Sequence, residues 1–419
     1  MLELDRRRFL EGGCAAIAAF LYGCGSTPGG GGTGGGSGGA GGSGGAGGAG
    51  GAGGGGGAPL ISNLKNLGPL QAADANGVRL PMGFSSRIVA RSGQAPVAGG
   101  ALWHGAPDGG ACFAAPDGGW LYVSNSELPF NTGGVSALRF NAAGDIVGCQ
   151  RICTGTSVNC AGGKMPWGRW LTCEESGESG RVLDCDPFGM TAAVELPALG
   201  LFKHEAVAFE PSEGRLYLTE DQGNGGFYRF TPASMTNGVP NLMAGTLEIA
   251  QVQGAGPGGE VTWLPIPNPS DSTVVLRNQV TGATRFDGGE GIIAKSGFVY
   301  FTTKGDNRVW QYEAATRALT VLYDAATSPM PYLTGVDNLA MTADGDLLVA
   351  EDGGDMEIVA LTPAGVVRVL QVMGHAGSEL AGPAFDPSGT RLYFSSQRGA
   401  TASSAAGITF EITGPFHSA

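Results

Sequence analysis

The fold is decided by a phrase that the chain repeats. It reads PDGGWLYVSNSE over 116–127, WGRWLTCEE over 167–175, PSEGRLYLTEDQ over 211–222, SGFVYFTTKGD over 296–306, ADGDLLVAEDGG over 343–354 and PSGTRLYFSSQ over 387–397. Each copy opens on turn formers, runs into a short stretch of strand-forming residues, and stops at a polar or acidic pair. Turn residues flanking such a run mark a strand. With Leu121, Trp170, Leu216, Tyr300, Leu347 and Tyr393 as strand centres, the spacings are 49, 46, 84, 47 and 46 residues. A period near 46 residues is that of a four-stranded propeller blade. The 84-residue interval holds the stretch from Ile249 to Asp271, rich in Pro and Gly and without the phrase, so it reads as one blade with an insertion. The sequence therefore predicts an all-β propeller of six blades, with seven as the alternative count. Amphipathic helices of ten or more residues are not legible between the strands, which argues against a TIM barrel or an α/β hydrolase.

Outside the repeats the chain divides by composition. Of its 419 residues 77 are glycine, and 23 of these fall within 25–57 among Ala, Ser, Thr and a single Pro. That stretch has no large apolar side chain to bury and cannot offset its ordering entropy, so it reads as a disordered linker. Residues 1–24 read as an export signal. Arg6, Arg7, Phe9 and Leu10 resemble the twin-arginine pattern, with an ordinary secretion signal as the alternative. Leu21, Tyr22, Gly23 and Cys24 resemble a lipobox, after which Cys24 would carry lipid. The expected location is the cell envelope, as a membrane-anchored lipoprotein or a periplasmic or extracellular protein. The linker would then be a tether with a reach of roughly 30 Å, and residues 58–419 the propeller. No run of 18 apolar residues marks a membrane span.

The formal charge is −13, which argues against a nucleic-acid partner. Membrane contact is expected only through the anchor at Cys24, and the domain is expected to be a monomer. Six cysteines follow the signal: Cys112, Cys149, Cys153, Cys160, Cys173 and Cys185. In an exported protein they suggest one to three disulfides, such as Cys149 with Cys153 and Cys173 with Cys185. A chain exported already folded acquires its fold in a reducing compartment, so at least one is expected to be a free thiolate or a metal ligand.

The repeats close on Glu127, Glu174 and Glu175, Glu220 and Asp221, Asp306, and Glu351 and Asp352. Recurrence at one point of each repeat puts them at equivalent places around one axis, where they would form a carboxylate ring suited to hard cations such as calcium. The competing reading is that they cap local backbone. Three further segments carry polar residues in apolar or glycine-rich surroundings: NCAGGKMPWG with Cys160, FKHEAVAFEP with Lys203, His204 and Glu205, and ATRFDGGEGI with Arg285 and Glu290.

Taken together, NCAGG, PWGRWLTCEE, CDPFG, FKHEAVA, RLYLTEDQ with GGFYRFTP, GGEGI, GVDNLA with LLVAEDG, and GPAFDPSGTRLYFSSQ resemble, in this order, the PhoX-type alkaline phosphatases over roughly residues 80–413. The resemblance implies a propeller phosphomonoesterase acting on small phosphate monoesters at an axial cluster of iron (Fe3+) and calcium (Ca2+). By motif match Cys160 would be an iron ligand and Glu205 another metal ligand. Glu290, Glu127, Glu174, Glu220, Asp337 and Glu351 would complete the cluster, and Arg285 would contact phosphate. The alternatives are a calcium-dependent propeller lactonase or esterase, and a non-catalytic binding propeller with structural calcium.

Overall fold

A computed structural model describes residues 60–254 and 256–418; the expected signal at 1–24, its Cys24 and the linker at 25–57 lie outside the described residues. Six antiparallel four-stranded units follow one another. Blade 1 is Pro107–Ala114, Trp120–Ser126, Gly133–Phe140 and Ile146–Thr156, and blade 2 is Gly163–Lys164, Trp170–Cys173, Val182–Cys185 and Val194–Glu195. Blade 3 comprises His204–Glu210, Arg215–Glu220, Phe227–Pro232 and Gly245–Gln253; blade 4 comprises Gly289–Lys295, Phe298–Thr303, Arg308–Glu313 and Ala318–Asp324. Val336–Met341, Leu347–Glu351, Glu357–Thr362 and Gly365–Val372 form blade 5. Blade 6 takes Leu380–Phe385, Arg391–Ser396 and Ile408–Thr413 from the end of the chain and its outermost strand, Ser85–Arg91, from the beginning. The first strands of successive blades are neighbours, and that of blade 6 lies beside that of blade 1, so the ring closes.

The insertion expected after blade 3 is an added strand and the loop that follows it. Gly259–Pro265 pairs with Gly245–Gln253 on one side and meets Ala318–Asp324 of blade 4 on the other, joining blades 3 and 4 into a nine-stranded sheet.

Six apolar clusters form the core, one at each seam between blades. The repeated strand shows why. Trp120 and Tyr122 pack towards blade 6, while Leu121 and Val123 pack towards blade 2. Alternate side chains leave opposite faces of a strand, and both faces are covered here. The runs WLYV, RLYL and DLLV are therefore apolar at successive positions rather than alternating with polar ones.

Among the described residues the six cysteines are buried free thiols. The pairings expected from sequence fail on geometry. Cys149 packs with Trp103 and Trp120 between blades 6 and 1, whereas Cys153 packs with Trp170 between blades 1 and 2. In blade 2 Val182 stands opposite Cys173 and Cys185 opposite Trp170, which puts Cys173 and Cys185 at opposite ends of one hairpin.

Candidate metal centre at the propeller axis

Equivalent residues meet at one end of the ring. The first and second strands of the blades begin their pairing at Pro107 with Ser126, His204 with Glu220, Gly289 with Thr303, Val336 with Glu351 and Leu380 with Ser396, and blade 2 has the matching bridge of Asn159 with Glu174. The residue after the first member of each pair is Asp108, Glu205, Glu290, Asp337, Ala381 or, in blade 2, Cys160. Five of the six ladders slip register at this point. Such a bulge re-aims a side chain, and here it turns the acid towards the axis. In every blade but the fifth, which has Asn338, the residue behind it is Gly or Ala because the first strands crowd together: a Cβ on Gly291 would stand 2.7 Å from the Leu339 nitrogen, and one on Gly382 would stand 2.6 Å from the Asp108 carbonyl oxygen. The residue after the second member of each pair is Glu127, Glu175, Asp221, Lys304, Asp352 or Gln397.

These positions converge. Glu127, Cys160 and Glu175 bring ligand atoms within 4.8 Å of one another, as do Asp108, Glu127 and Glu379, and again Glu205, Glu290 and Asp337. Glu127 belongs to the first two groups, so those two form neighbouring sites with a shared carboxylate. Cys160 is fixed from behind. The buried amide of Asn125 donates to its carbonyl oxygen and accepts from Trp170 Nε1 (2.9 Å) and Thr172 Oγ1 (3.0 Å).

The charge balance is lopsided. Asp108, Glu127, Glu175, Glu205, Asp221, Glu290, Asp337, Asp352 and Glu379 face three cations. Lys203 pairs with Glu175 (2.5 Å) and Asp221 (3.0 Å), Lys304 with Glu290 (2.8 Å) and Asp352 (3.1 Å), and Arg398 with Glu379 (2.9 Å). Glu205 is fully buried, and among the described residues neither of its carboxylate oxygens has a hydrogen-bond partner. Burial, reinforced by Glu290 and Glu175, holds its carboxyl well above the usual range. Burial also raises Glu290 well above that range, with Asp337 adding to it. Asp108 and Glu379 rise for the same cause, Asp108 with Glu127 beside it and Glu379 with Asp108. Asp337 is pushed up to about 7 and Glu175 to about 8, in both cases chiefly by burial. Buried clustered carboxylates take up protons or cations. The donor set fits metal ions: one group offers a thiolate with two carboxylates, and the others offer carboxylates alone.

The structure brings together Cys160, Glu205, Glu290, Glu127 and Asp337 of the residues singled out from sequence. Three others serve the blades. Glu174 accepts from the Ser157 amide (2.9 Å) and pairs with Arg181 (2.7 Å). Glu220 accepts from the Gly226 amide (2.7 Å), Tyr228 (2.8 Å) and Arg277 (2.5 Å). Glu351 accepts from the amides of Thr334 (2.9 Å) and Glu357 (3.0 Å). Successive residues of a strand point to opposite sides, so the first acid of each pair turns into its blade and the second, Glu175, Asp221 or Asp352, turns to the axis. Asp306 likewise works locally, accepting from Thr303 and pairing with Arg308; the axial residue of that blade is Lys304. Arg285 is exposed and donates to Asn278 (3.1 Å). Sequence reasoning missed Asp108, Glu379, Lys304 and Arg398. Asp108 had a signal: an acid followed by Gly or Ala at the head of a first strand, as in Asp108-Gly109, Glu205-Ala206 and Glu290-Gly291.

Residues 132–183 and 177–399 match the model of the family described as alkaline phosphatase PhoX. Among solved structures, Pseudomonas fluorescens PhoX in complex with vanadate, described as a transition state analogue, superposes with a TM-score of 0.67 at 18% identity, covering 83% of this chain and 97% of that one. A gluconolactonase from Xanthomonas campestris aligns with a TM-score of 0.47 at 11% identity, covering 83% of this chain and 98% of that one. No curated protein matches.

Proposed function

The chain belongs to the PhoX family of alkaline phosphatases, and from that premise we propose that it is a metal-dependent phosphomonoesterase whose cations sit among the axial carboxylates. The observation that carries the reading is Glu205, a buried carboxylate with both oxygens unpartnered beside Glu290 and Asp337. Nothing but a proton or a cation balances that arrangement. The thiolate of Cys160, with Glu127 and Glu175, would hold iron, for which a soft ligand is suited. Asp108, Glu127 and Glu379, and Glu205, Glu290 and Asp337, would hold calcium. Bound there, the ions would supply Lewis-acid polarisation of a phosphoryl group.

The chain's own residues have distinct tasks. Lys203, Lys304 and Arg398 bring N–H donors to the mouth of the acidic ring, and a phosphate monoester would meet them as charge-assisted hydrogen-bond donors. We assign phosphate contact to Lys304 and Arg398 ahead of Arg285, because both already pair with the axial carboxylates while Arg285 rests on Asn278. No side-chain nucleophile is required. The substrates would be small phosphate monoesters and the working form a monomer. The twin-arginine signal, lipid at Cys24 and tether over 25–57 complete the proposal as a cell-envelope enzyme.

Elemental analysis of the exported protein, together with hydrolysis of a chromogenic phosphomonoester, tests the reading. Iron and calcium with hydrolysis are expected. Protein with neither metal and no hydrolysis when both are supplied sinks it, and calcium without iron returns the site to the lactonase or esterase alternative.

A further inference from the structure

The six thiols are not equivalent. Cys153 lies on the outermost strand of blade 1 and Cys185 on the third strand of blade 2, and both are buried in the cluster that fills the seam between these blades. There the two thiols are hydrogen-bonded to each other. Contacts beside the pair tie the two blades together. Gln150 Nε2 donates to the Phe188 carbonyl at 2.9 Å, and a Cβ on Gly189 would stand 3.4 Å from Ile152 Cγ2. Two thiols that act on each other in one buried seam, with contacts tying the two blades on either side, are placed for a disulfide. Cys160 stands apart from the pair, at the axis with Glu127 and Glu175.

We propose that Cys153 and Cys185 become a disulfide in the exported protein, a covalent staple between blades 1 and 2 formed by exchange with a disulfide oxidant. The Cys153 thiolate attacks one sulfur of the oxidant, giving a mixed disulfide and releasing one thiol. Cys185 then loses its proton and attacks the Cys153 sulfur, closing the new bond and expelling the second thiol. Two protein thiols are oxidised and one disulfide of the oxidant is reduced. The hydrogen bond from Cys185 holds the Cys153 thiol below its ordinary range, which favours it as the attacking sulfur.

The staple would act on the candidate metal centre through the blade seam. The strand bearing Cys153 ends at Thr156, whose hydroxyl donates to Asn159 Oδ1 at 2.6 Å, next to Cys160. The hairpin that contains Cys185 leads back through Cys173 to Glu174 and Glu175. Linking them fixes the spacing of Glu127, Cys160 and Glu175 while leaving Cys160 free to ligate.

Thiol mapping decides the matter. The full-length exported protein is incubated with glutathione disulfide, blocked with iodoacetamide, digested and analysed by mass spectrometry. One peptide pair linked through Cys153 and Cys185 is expected, released by dithiothreitol. Dithiothreitol should also lower the thermal midpoint of the wild type but not of Cys153→Ser or Cys185→Ser. Complete alkylation of both residues after oxidation, or a link from either to another cysteine, overturns the proposal. The wild-type map is decisive even if a variant fails to fold.

Discussion

Among the described residues Cys160 is the one thiol at the axis, and its sulfur lies within 4.8 Å of ligand oxygens of Glu127 and Glu175. Its backbone is held by hydrogen bonds that do not involve the sulfur, from its own N–H to the Cys173 carbonyl and from Asn125 to its carbonyl. Cys160→Ser should therefore leave the melting temperature of the metal-free protein unchanged while lowering iron content by at least about tenfold, read by elemental analysis; retained iron would remove Cys160 from the ligand set. Glu205 makes the complementary case. Because no protein donor depends on its carboxylate, Glu205→Gln should reduce the bound metal yet melt no lower than the wild type stripped of metal. The raised carboxyls also fix a pH dependence. Asp337, at about 7, and Glu175, at about 8, bind protons more tightly folded than unfolded. Their contribution to stability is thus present in full below the ordinary carboxyl range near 4 and lost as pH rises through those values, with a slope of up to about 1.4 kcal/mol per pH unit per group. Chelated protein should lose thermal stability between pH 4 and 8, and added calcium and iron should flatten that profile; a chelated protein most stable at pH 8 would contradict it.

Strand geometry separates neighbours that sequence joins. Glu351 accepts from two backbone amides inside blade 5, and Asp352 beside it meets Lys304 at the axis. Glu351→Ala should cost about 1–3 kcal/mol in urea denaturation with metal content unaffected. Asp352→Asn should hardly alter stability and should weaken turnover or metal binding; the reverse pattern would mean that the second acid of each pair does not serve the site. The same contrast shows what could be read beforehand. The period of the repeat yielded blade number and strand centres, because turn chemistry and apolar runs are local and each blade repeats them. The run of acids at the strand ends yielded the right end of the molecule. Which acid of a pair faces the axis depends on where a strand stops pairing, and the bulges that aim Asp108 and Glu205 have no turn residue to announce them. Glu379 was hidden for another reason: it precedes its strand and reaches the site from the loop entering blade 6. Lys304 stands where other repeats carry a carboxylate and Arg398 lies one residue beyond the last repeat, so a uniform acidic ring does not announce either cation.

At the scale of the whole molecule, the two ends of the described chain do different work. Ser85–Arg91 is the outer strand of blade 6, so the beginning of the domain completes the blade that the end of the chain starts. Before it, Ile61–Ser62 pairs with His417–Ser418, and the Ser62 amide donates to Asp344 Oδ2 at 2.8 Å. Asp344 belongs to the turn between the first and second strands of blade 5, and such turns lie at the end of the ring opposite the acidic residues. A tether that continues from Leu60 towards a lipid at Cys24 would therefore leave from the far face, and the candidate site would look away from the membrane. Substrate would approach from the aqueous side with no surface to cross. A chain beginning at Ala58 should accordingly hydrolyse a soluble phosphomonoester with the same kcat/KM as the anchored protein. Removing residues through Arg91 takes away the closing strand and exposes the edge of Ile408–Thr413, so that shorter chain should aggregate or fail to show a cooperative thermal transition. A marked loss of kcat/KM on removing residues 1–57 alone would mean that the segment before Ala58 contributes to the site, and the far-face exit would no longer describe how this propeller is presented.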